Sequence, residues 1–176
     1  GNSLDKDFIK HLFNNVKFES VVSNPPYIRI QNLDKENRKI IRKYWKLICG
    51  DTDIFIPFIE LGIELTSEKG KLGYITPNTY FTTHAGKLLR KYLLDNKLLE
   101  EIVDFDYYQV FEGITTYTAI TILNKNSNKS FFYFKKIPCK EKLPDLKSIC
   151  KEKIYFRDMN PETWIFIPAR HKKMIE

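Results

Sequence analysis

Phe18-Glu19-Ser20-Val21-Val22-Ser23-Asn24-Pro25-Pro26-Tyr27 is the stretch on which the reading of the fold turns. Its first six residues form a short apolar run of the kind a buried strand shows. Two consecutive prolines cannot continue a central strand, because they donate no N–H and hold φ fixed. The strand therefore stops at Asn24. A stiff loop follows, carrying a side-chain amide, two carbonyls with no N–H beside them, and an aromatic ring. Open α/β sheets bind ligands in loops of this kind, at the carboxyl ends of strands. An amino group conjugated to a ring is a poor nucleophile, because its lone pair is delocalised. Two acceptors that take its hydrogens let the nitrogen pyramidalise, and they favour the charge that develops as it attacks. The Asn24 side-chain oxygen and the Pro25 carbonyl are candidates for those acceptors, with Tyr27 placed to stack on the ring. The same residues also make an ordinary strand-ending turn, and the tetrapeptide alone does not separate the two readings.

Working outward, Leu4, Phe8, Ile9, Leu12, Phe13 and Val16 recur at helical spacing before the strand, with Ser3 placed to cap. After the loop, Asp34 can cap a second helix whose apolar face is Ile40, Ile41, Tyr44, Trp45 and Ile48, closed by Gly50. Its other side carries Lys35, Arg38, Lys39, Arg42, Lys43 and Lys46. A charge run on a helix is usually a solvated face, but this one directly follows the candidate loop, where a phosphate backbone would need cations. Asp51-Thr52-Asp53 offers caps for a third helix with Phe55, Phe58, Ile59, Gly62 and Leu65 on one stripe, Pro57 in its first turn and Gly70 at its exit. Leu72–Thr76 is then a strand stopped by Pro77. A helix runs from Thr82 or Thr83 through Leu93, and Leu98–Phe105 is the next strand. This alternation predicts an α/β fold with a parallel sheet and helical crossovers. Thr116–Leu123 and Phe131–Phe134, joined by a polar turn, then read as an antiparallel hairpin that makes the end of the sheet mixed. Beyond Ile137, lysine and proline enrichment suggests a linker or the beginning of another domain, with Trp164-Ile165-Phe166-Ile167 as a last apolar run.

The 176 residues are 43% hydrophobic and 29% charged, values of a globular domain rather than a disordered tail. A formal charge of +7 favours an anionic partner without identifying one. Cys49, Cys139 and Cys150 are odd in number and lack metal-ligand spacing, which reads as free thiols in a reducing cytoplasm. His11, His84 and His171 are scattered and are assigned neither catalysis nor metal. No stretch has the length of a membrane span, and the amino terminus has no signal-peptide pattern. The expected location is cytoplasmic.

The order of these pieces resembles the catalytic domain of gamma-class adenine-N6 DNA methyltransferases, above all the type IIG restriction–modification enzymes. The segments that carry the resemblance lie between about residues 16 and 136. They are Val21–Tyr27, Asp53–Phe58 with Ile59-Glu60-Leu61, Gly70–Pro77, and Val110-Phe111-Glu112-Gly113 leading into Thr116–Leu123. The resemblance implies a partial Rossmann-like methyltransferase fold and roles for individual residues. Asn24 and the Pro25 carbonyl would hold the amino hydrogens of an adenine flipped from double-stranded DNA. Tyr27 would stack on its face and Phe111 pack at its edge. Phe58, with Pro26 nearby, would lie against the adenine of S-adenosylmethionine. Arg38, Arg42 and Lys46 are the candidates for DNA-backbone contacts.

The main departure from that family is at the amino-terminal side. Only 23 residues precede Asn24, and they hold no Gly-x-Gly turn and none of the acidic residues expected for the cofactor's ribose and amino-acid ends. The expectation is that residues 1–136 are the second half of a catalytic domain. Residues 137–176 would be a linker or the start of a target-recognition region, and the remainder of a parent chain a necessary partner. Two other readings stay open at this point. One is a methyltransferase acting on a glutamine amide or on guanine in RNA through a similar loop. The other is a non-catalytic DNA-binding module in which Asn24–Tyr27 is only a turn.

Overall fold

A computed structural model describes residues 2–111, 113, 116–138 and 143–166. Glu112, Cys139, Ile167 and His171 lie outside them. Asp5, whose carboxylate accepts the Asp7 N–H, caps α1 (Lys6–Phe13) in place of Ser3. β1 (Phe18–Ser23) has the expected bounds. Asp34 accepts the N–H groups of Glu36 and Asn37 and starts α2 (Lys35–Tyr44). α3 (Phe55–Leu65) runs without a loop into β2 (Thr66–Pro77). Two 3-10 turns lead to α4 (Lys87–Asp95), then β3 (Leu99–Asp104), β4 (Thr118–Asn124), β5 (Phe131–Lys136) and β6 (Glu152–Tyr155). No helix among the described residues is long and apolar enough to cross a membrane.

The six strands form one mixed sheet in the order β1-β2-β4-β3-β5-β6. β1 and β2 are parallel. β4 lies between β2 and β3, antiparallel to both, with Leu123 facing Leu72 on one side and Leu99 on the other. The hairpin expected between Thr116–Leu123 and Phe131–Phe134 does not form. β5 passes to the far side of β3 and joins it in parallel, and the antiparallel pair at the end of the sheet is β5 with β6. Insertion gives β4 two hydrogen-bonded neighbours and places Ala119 and Leu123 in the core. A hairpin with β5 would satisfy only one of its edges.

Period-2 alternation assigns each strand residue to a face. One face carries Leu72, Tyr74, Ile102, Ala119, Leu123, Phe132 and Phe134, covered by α3 through Phe55, Ile56, Ile59 and Ile63 and by α4 through Leu89 and Leu93. α3 packs so close to β2 that a Cβ on Gly62 would stand 2.3 Å from the Leu72 side chain. The sheet's other face carries Ile75, Val103 and Ile120 and is only partly covered, by Phe105, Tyr108, Val110, Ile137, Leu146 and Ile149. β1 is thus not the buried strand its apolar run suggests: it is an edge strand, and Val22 is 82% exposed. A smaller cluster joins Leu4, Ile30, Ile41, Trp45, Ile54 and Leu61 beneath α1 and α2.

Composition alone points residues beyond 137 away from the compact unit. The described part of that stretch contributes β6 and a core tryptophan, Trp164, whose backbone N–H donates to the Phe81 carbonyl at 2.7 Å. The buried Arg90 of α4 ties this return to the sheet. Its guanidinium donates to the carbonyls of Tyr80, Thr83, Pro161 and Glu162 at 2.5–2.8 Å. Removing it leaves four carbonyls without their donor, each with a desolvation cost of about 1–3 kcal/mol if it stays buried. Arg90→Met is therefore expected to lower unfolding free energy by at least about 3 kcal/mol, measured by urea denaturation. A loss below about 1 kcal/mol would show that the segment around Pro161 is held by other contacts.

Candidate active site at the end of the first strand

Pro25 and Pro26 end the β1–β2 ladder at the Ser23–Tyr74 pair. Beyond it the loop is fixed by side chains. The Tyr27 hydroxyl donates to Asn24 Oδ1 at 2.8 Å and lies 3.3 Å from the Ile75 carbonyl of β2. One phenolic proton serves both acceptors, and the shorter contact marks Asn24 as its main one. Asn24 is solvent-exposed and Oδ1 has two lone pairs, so one remains open to the outside. The Pro25 carbonyl accepts no hydrogen bond among the described residues. Asn24 stands at the lip of an apolar cleft formed by Val22, Gly73, Ile75, Ile120 and Ile122. The Tyr27 phenol is a donor at neutral pH by its ordinary chemistry, and burial pushes its pKa further up.

Tyr27 also lines a second recess with Arg29, Asn32, Asp53, Pro77, Thr79 and Thr116. Backbone pairing of Ile28 and Ile30 with Ile54 and Thr52 holds the stretch after Tyr27 against the start of α3. Asp53 does not cap α3. The N-cap position falls on Ile54, with no side-chain hydrogen bond. Asp53 instead sits half-buried in the recess, its carboxyl raised by burial and partly restored by the nearby Arg29 charge.

The remaining candidates are more scattered. Phe58 is half-buried on α3 and packs against both the main and the smaller cluster, so its ring has a core role whatever else it touches. Pro26 is exposed and Pro25 buried. Phe111 lies half-buried between β3 and β4 and makes no ring contact with Tyr27 among the described residues; the exposed Tyr107 and Tyr117 of the same connection meet at 5.2 Å. Arg38 and Arg42 lie one turn apart on α2, and neither they nor Lys46 has an ion-pair partner among the described residues. Lys46 is not on the helix, which ends at Tyr44. The Lys46 and Leu47 N–H groups turn instead to the buried carboxylate of Glu60, at 2.9–3.1 Å.

Sequence reasoning passed over Glu60 and Asp104 as functional supports. The only signal for either was an acidic residue at an apolar position. Asp104, at the end of β3, accepts from Asn78 Nδ2 at 3.0 Å and from the Asp106 N–H at 3.1 Å. Asn78 in turn bonds the Tyr117 carbonyl. These bonds join the turn after β2 to the loop that precedes β4, so Pro77, Thr79 and Thr116 meet at the Tyr27 recess.

With this geometry in view, comparison with known proteins decides the family. Residues 2–111 match the model of the Eco57I restriction-modification methylase family. The chain belongs to that family. It is similar to the type II restriction enzyme and methyltransferase RM.Eco57I of Escherichia coli, with 32% identity over 155 residues. That match takes in 86% of this chain and only 16% of the relative's length. Among solved structures, the methyltransferase subunit of a type I restriction-modification system from Streptococcus thermophilus superposes with a TM-score of 0.67, at 15% identity over 90% of this chain and 38% of its own. A Listeria monocytogenes protein described as a class I S-adenosylmethionine-dependent methyltransferase gives 0.53, at 22% identity over 69% of this chain and 37% of its own. The family member's fold is therefore mixed α/β and partial Rossmann-like, of the methyltransferase type.

Burial raises the Asp104 carboxyl above the ordinary carboxylate value of 3.8, the hydrogen bonds from Asn78 and Asp106 offsetting only part of the shift. The folded state thus favours the protonated form. On this group's account, stability is full below 3.8 and falls as pH rises through the raised value. Asp104→Asn keeps an acceptor and removes the charge. The variant is expected to be at least as stable as the parent at about pH 7 and to lose this group's part of the decline between about pH 4 and 7, read from urea midpoints. Equal destabilisation at both pH values would show that the charge itself supports the loop junction.

Proposed function

We propose that the chain is the second half of the catalytic domain of a DNA methyltransferase. The reaction is transfer of a methyl group from S-adenosylmethionine to the N6 amino group of an adenine flipped from double-stranded DNA, within a type IIG-like restriction–modification enzyme. The observation that carries this reading is the exposed, half-satisfied Asn24 oxygen beside the Pro25 carbonyl, which accepts no hydrogen bond among the described residues. Family membership and the name of the Escherichia coli relative support it.

In this reading Asn24 Oδ1 and the Pro25 carbonyl accept the two amino hydrogens and free the nitrogen lone pair. The Tyr27 hydroxyl can release Asn24 without being left unpaired, because the Ile75 carbonyl is within reach at 3.3 Å. A neutral amide accepts hydrogen bonds but does not take up the proton, which leaves to water. Extruding the base costs a few kcal/mol, and stacking on the Tyr27 ring returns roughly 1–3 kcal/mol. Phe111 would close on the base edge from the connection before β4, and Arg38, Arg42 and Lys46 would meet phosphates.

S-adenosylmethionine, when bound, supplies the electrophilic methyl. In this reading Pro26, which is exposed, and Phe58, which is half-buried, would form the wall against the cofactor's adenine. No glycine-rich turn stands among the 176 residues for its other end. We therefore assign completion of the pocket, and target recognition beyond residues 137–176, to other parts of a longer parent chain.

The direct test is Asn24→Ala in the full-length protein, assayed with labelled cofactor and plasmid DNA. Methyl transfer is expected to fall by about 100-fold or more, the scale of losing one group aimed at developing charge. Duplex binding is expected to stay within about twofold. Retained methylation would reduce Asn24–Tyr27 to a structural turn.

A further inference from the structure

The sheet's far edge carries a second cationic surface, remote from the candidate active site. On the face where Val103 lies, β5 presents Phe131 and Tyr133 and β6 presents Lys153 and Tyr155. The three rings form one cluster, with Phe131 centred 5.4 Å from Tyr133 and 6.0 Å from Tyr155. Four cations sit above them. Lys151 and Lys129 are 4.2 and 5.8 Å from the Tyr133 ring, Lys153 is 4.7 Å from Phe131, and Arg157 is 5.2 Å from Tyr155.

Charge balance sets this edge apart. Lys71 of β2 is neutralised by Glu100, Lys125 after β4 by Glu68 and, on β5 itself, Lys135 by Glu101, at 2.8–2.9 Å. Lys129, Lys151 and Lys153 have no ion-pair partner among the described residues. Arg157 has only the adjacent Asp158, at 3.6 Å. Cation–π contact holds an ammonium group in place but does not cancel its charge. The result, among the described residues, is a pre-arranged surface with an excess of positive charge, in which Lys129 lies within the field of a further carboxylate, Glu100.

We propose that this β5–β6 face binds the phosphate backbone of duplex DNA, as a contact outside the active site. The proposal rests on the reading above only in taking DNA as the partner. The rings favour a duplex over an unpaired strand, because their faces are already covered by cations and are not free to stack on bases. The cations lie over the rings, where a phosphate backbone laid on this face would meet them. β5 lies four strand spacings from β1, about 20 Å across the sheet, so the contact is independent of the Asn24 loop.

The experiment compares the full-length protein with a Lys129→Gln/Lys151→Gln/Lys153→Gln variant, using fluorescence anisotropy on a labelled 40-base-pair duplex and on one of its strands across a salt series. Each lost phosphate contact lowers the slope of log K against log salt by about 0.9, so a decrease of about 2–3 is expected for the duplex. Affinity near 0.1 M salt should fall by at least about tenfold. Methyl transfer at saturating DNA should be unchanged in this variant, and Asn24→Ala should leave the slope unchanged, which separates this surface from the catalytic reading. An unaltered duplex slope, or a loss confined to the single strand, overturns the proposal. So does intact DNA binding with self-association by sedimentation, which would mean that the lysines guard a sheet edge against pairing.

Discussion

The hydroxyl of Tyr27, shared between Asn24 Oδ1 and the Ile75 carbonyl, is the contact on which the candidate site depends. The prolines end strand pairing but do not by themselves decide where the chain goes next. Their stiffness limits the loop to a few paths, and the phenol selects one by anchoring it to β2. The same contact orients the amide with its oxygen toward the hydroxyl, and the second lone pair of that oxygen stays open as an acceptor. A phenol is protonated across the neutral range and burial only pushes its pKa further up, so the anchor holds there.

The sheet order gives that loop its neighbours. β1 and β2 end at the same side because they are parallel, and β4 begins there because it is antiparallel to β2. Three chain segments far apart in sequence thereby meet around Tyr27: the loop after β1, the Pro77–Thr79 turn, and the chain entering β4 at Thr116. Buried acids stitch this end together. Asp104 links the turn to the β3–β4 connection through Asn78, and Glu60 holds the chain that leaves α2. Both act as buried hydrogen-bond acceptors, whose donors are costly to leave unpaired.

Much of this was legible in the residues because local rules dominate there. β1, the Asp34 cap, the α4 region and the loop at Asn24 follow from prolines, caps and apolar spacing. The failures mark where tertiary contacts override such rules. Thr116–Leu123 reads as one arm of a hairpin, yet it is drawn between β2 and β3, where both its edges are paired. Gly70 reads as a helix exit, but α3 changes to strand at Thr66, and Gly70 lies inside β2 where a Cβ would meet the Phe18 carbonyl at 2.8 Å. Asp53 reads as a cap, yet the helix starts one residue on and leaves the carboxylate beside Arg29. The apolar run of β1 reads as a buried strand, yet β1 is an edge strand paired only with β2. Family membership was legible through four segments in order, which no single-residue property reveals.

The proposed chemistry makes one demand that no other reading of the loop shares: the acceptor must be an exocyclic amino nitrogen of a DNA base. Digestion of plasmid DNA to nucleosides after incubation with the full-length protein and labelled S-adenosylmethionine, followed by mass spectrometry, measures this directly. The account predicts that the label elutes as N6-methyldeoxyadenosine. Label at carbon 5 of cytosine, or label recovered only in protein or RNA, would contradict it.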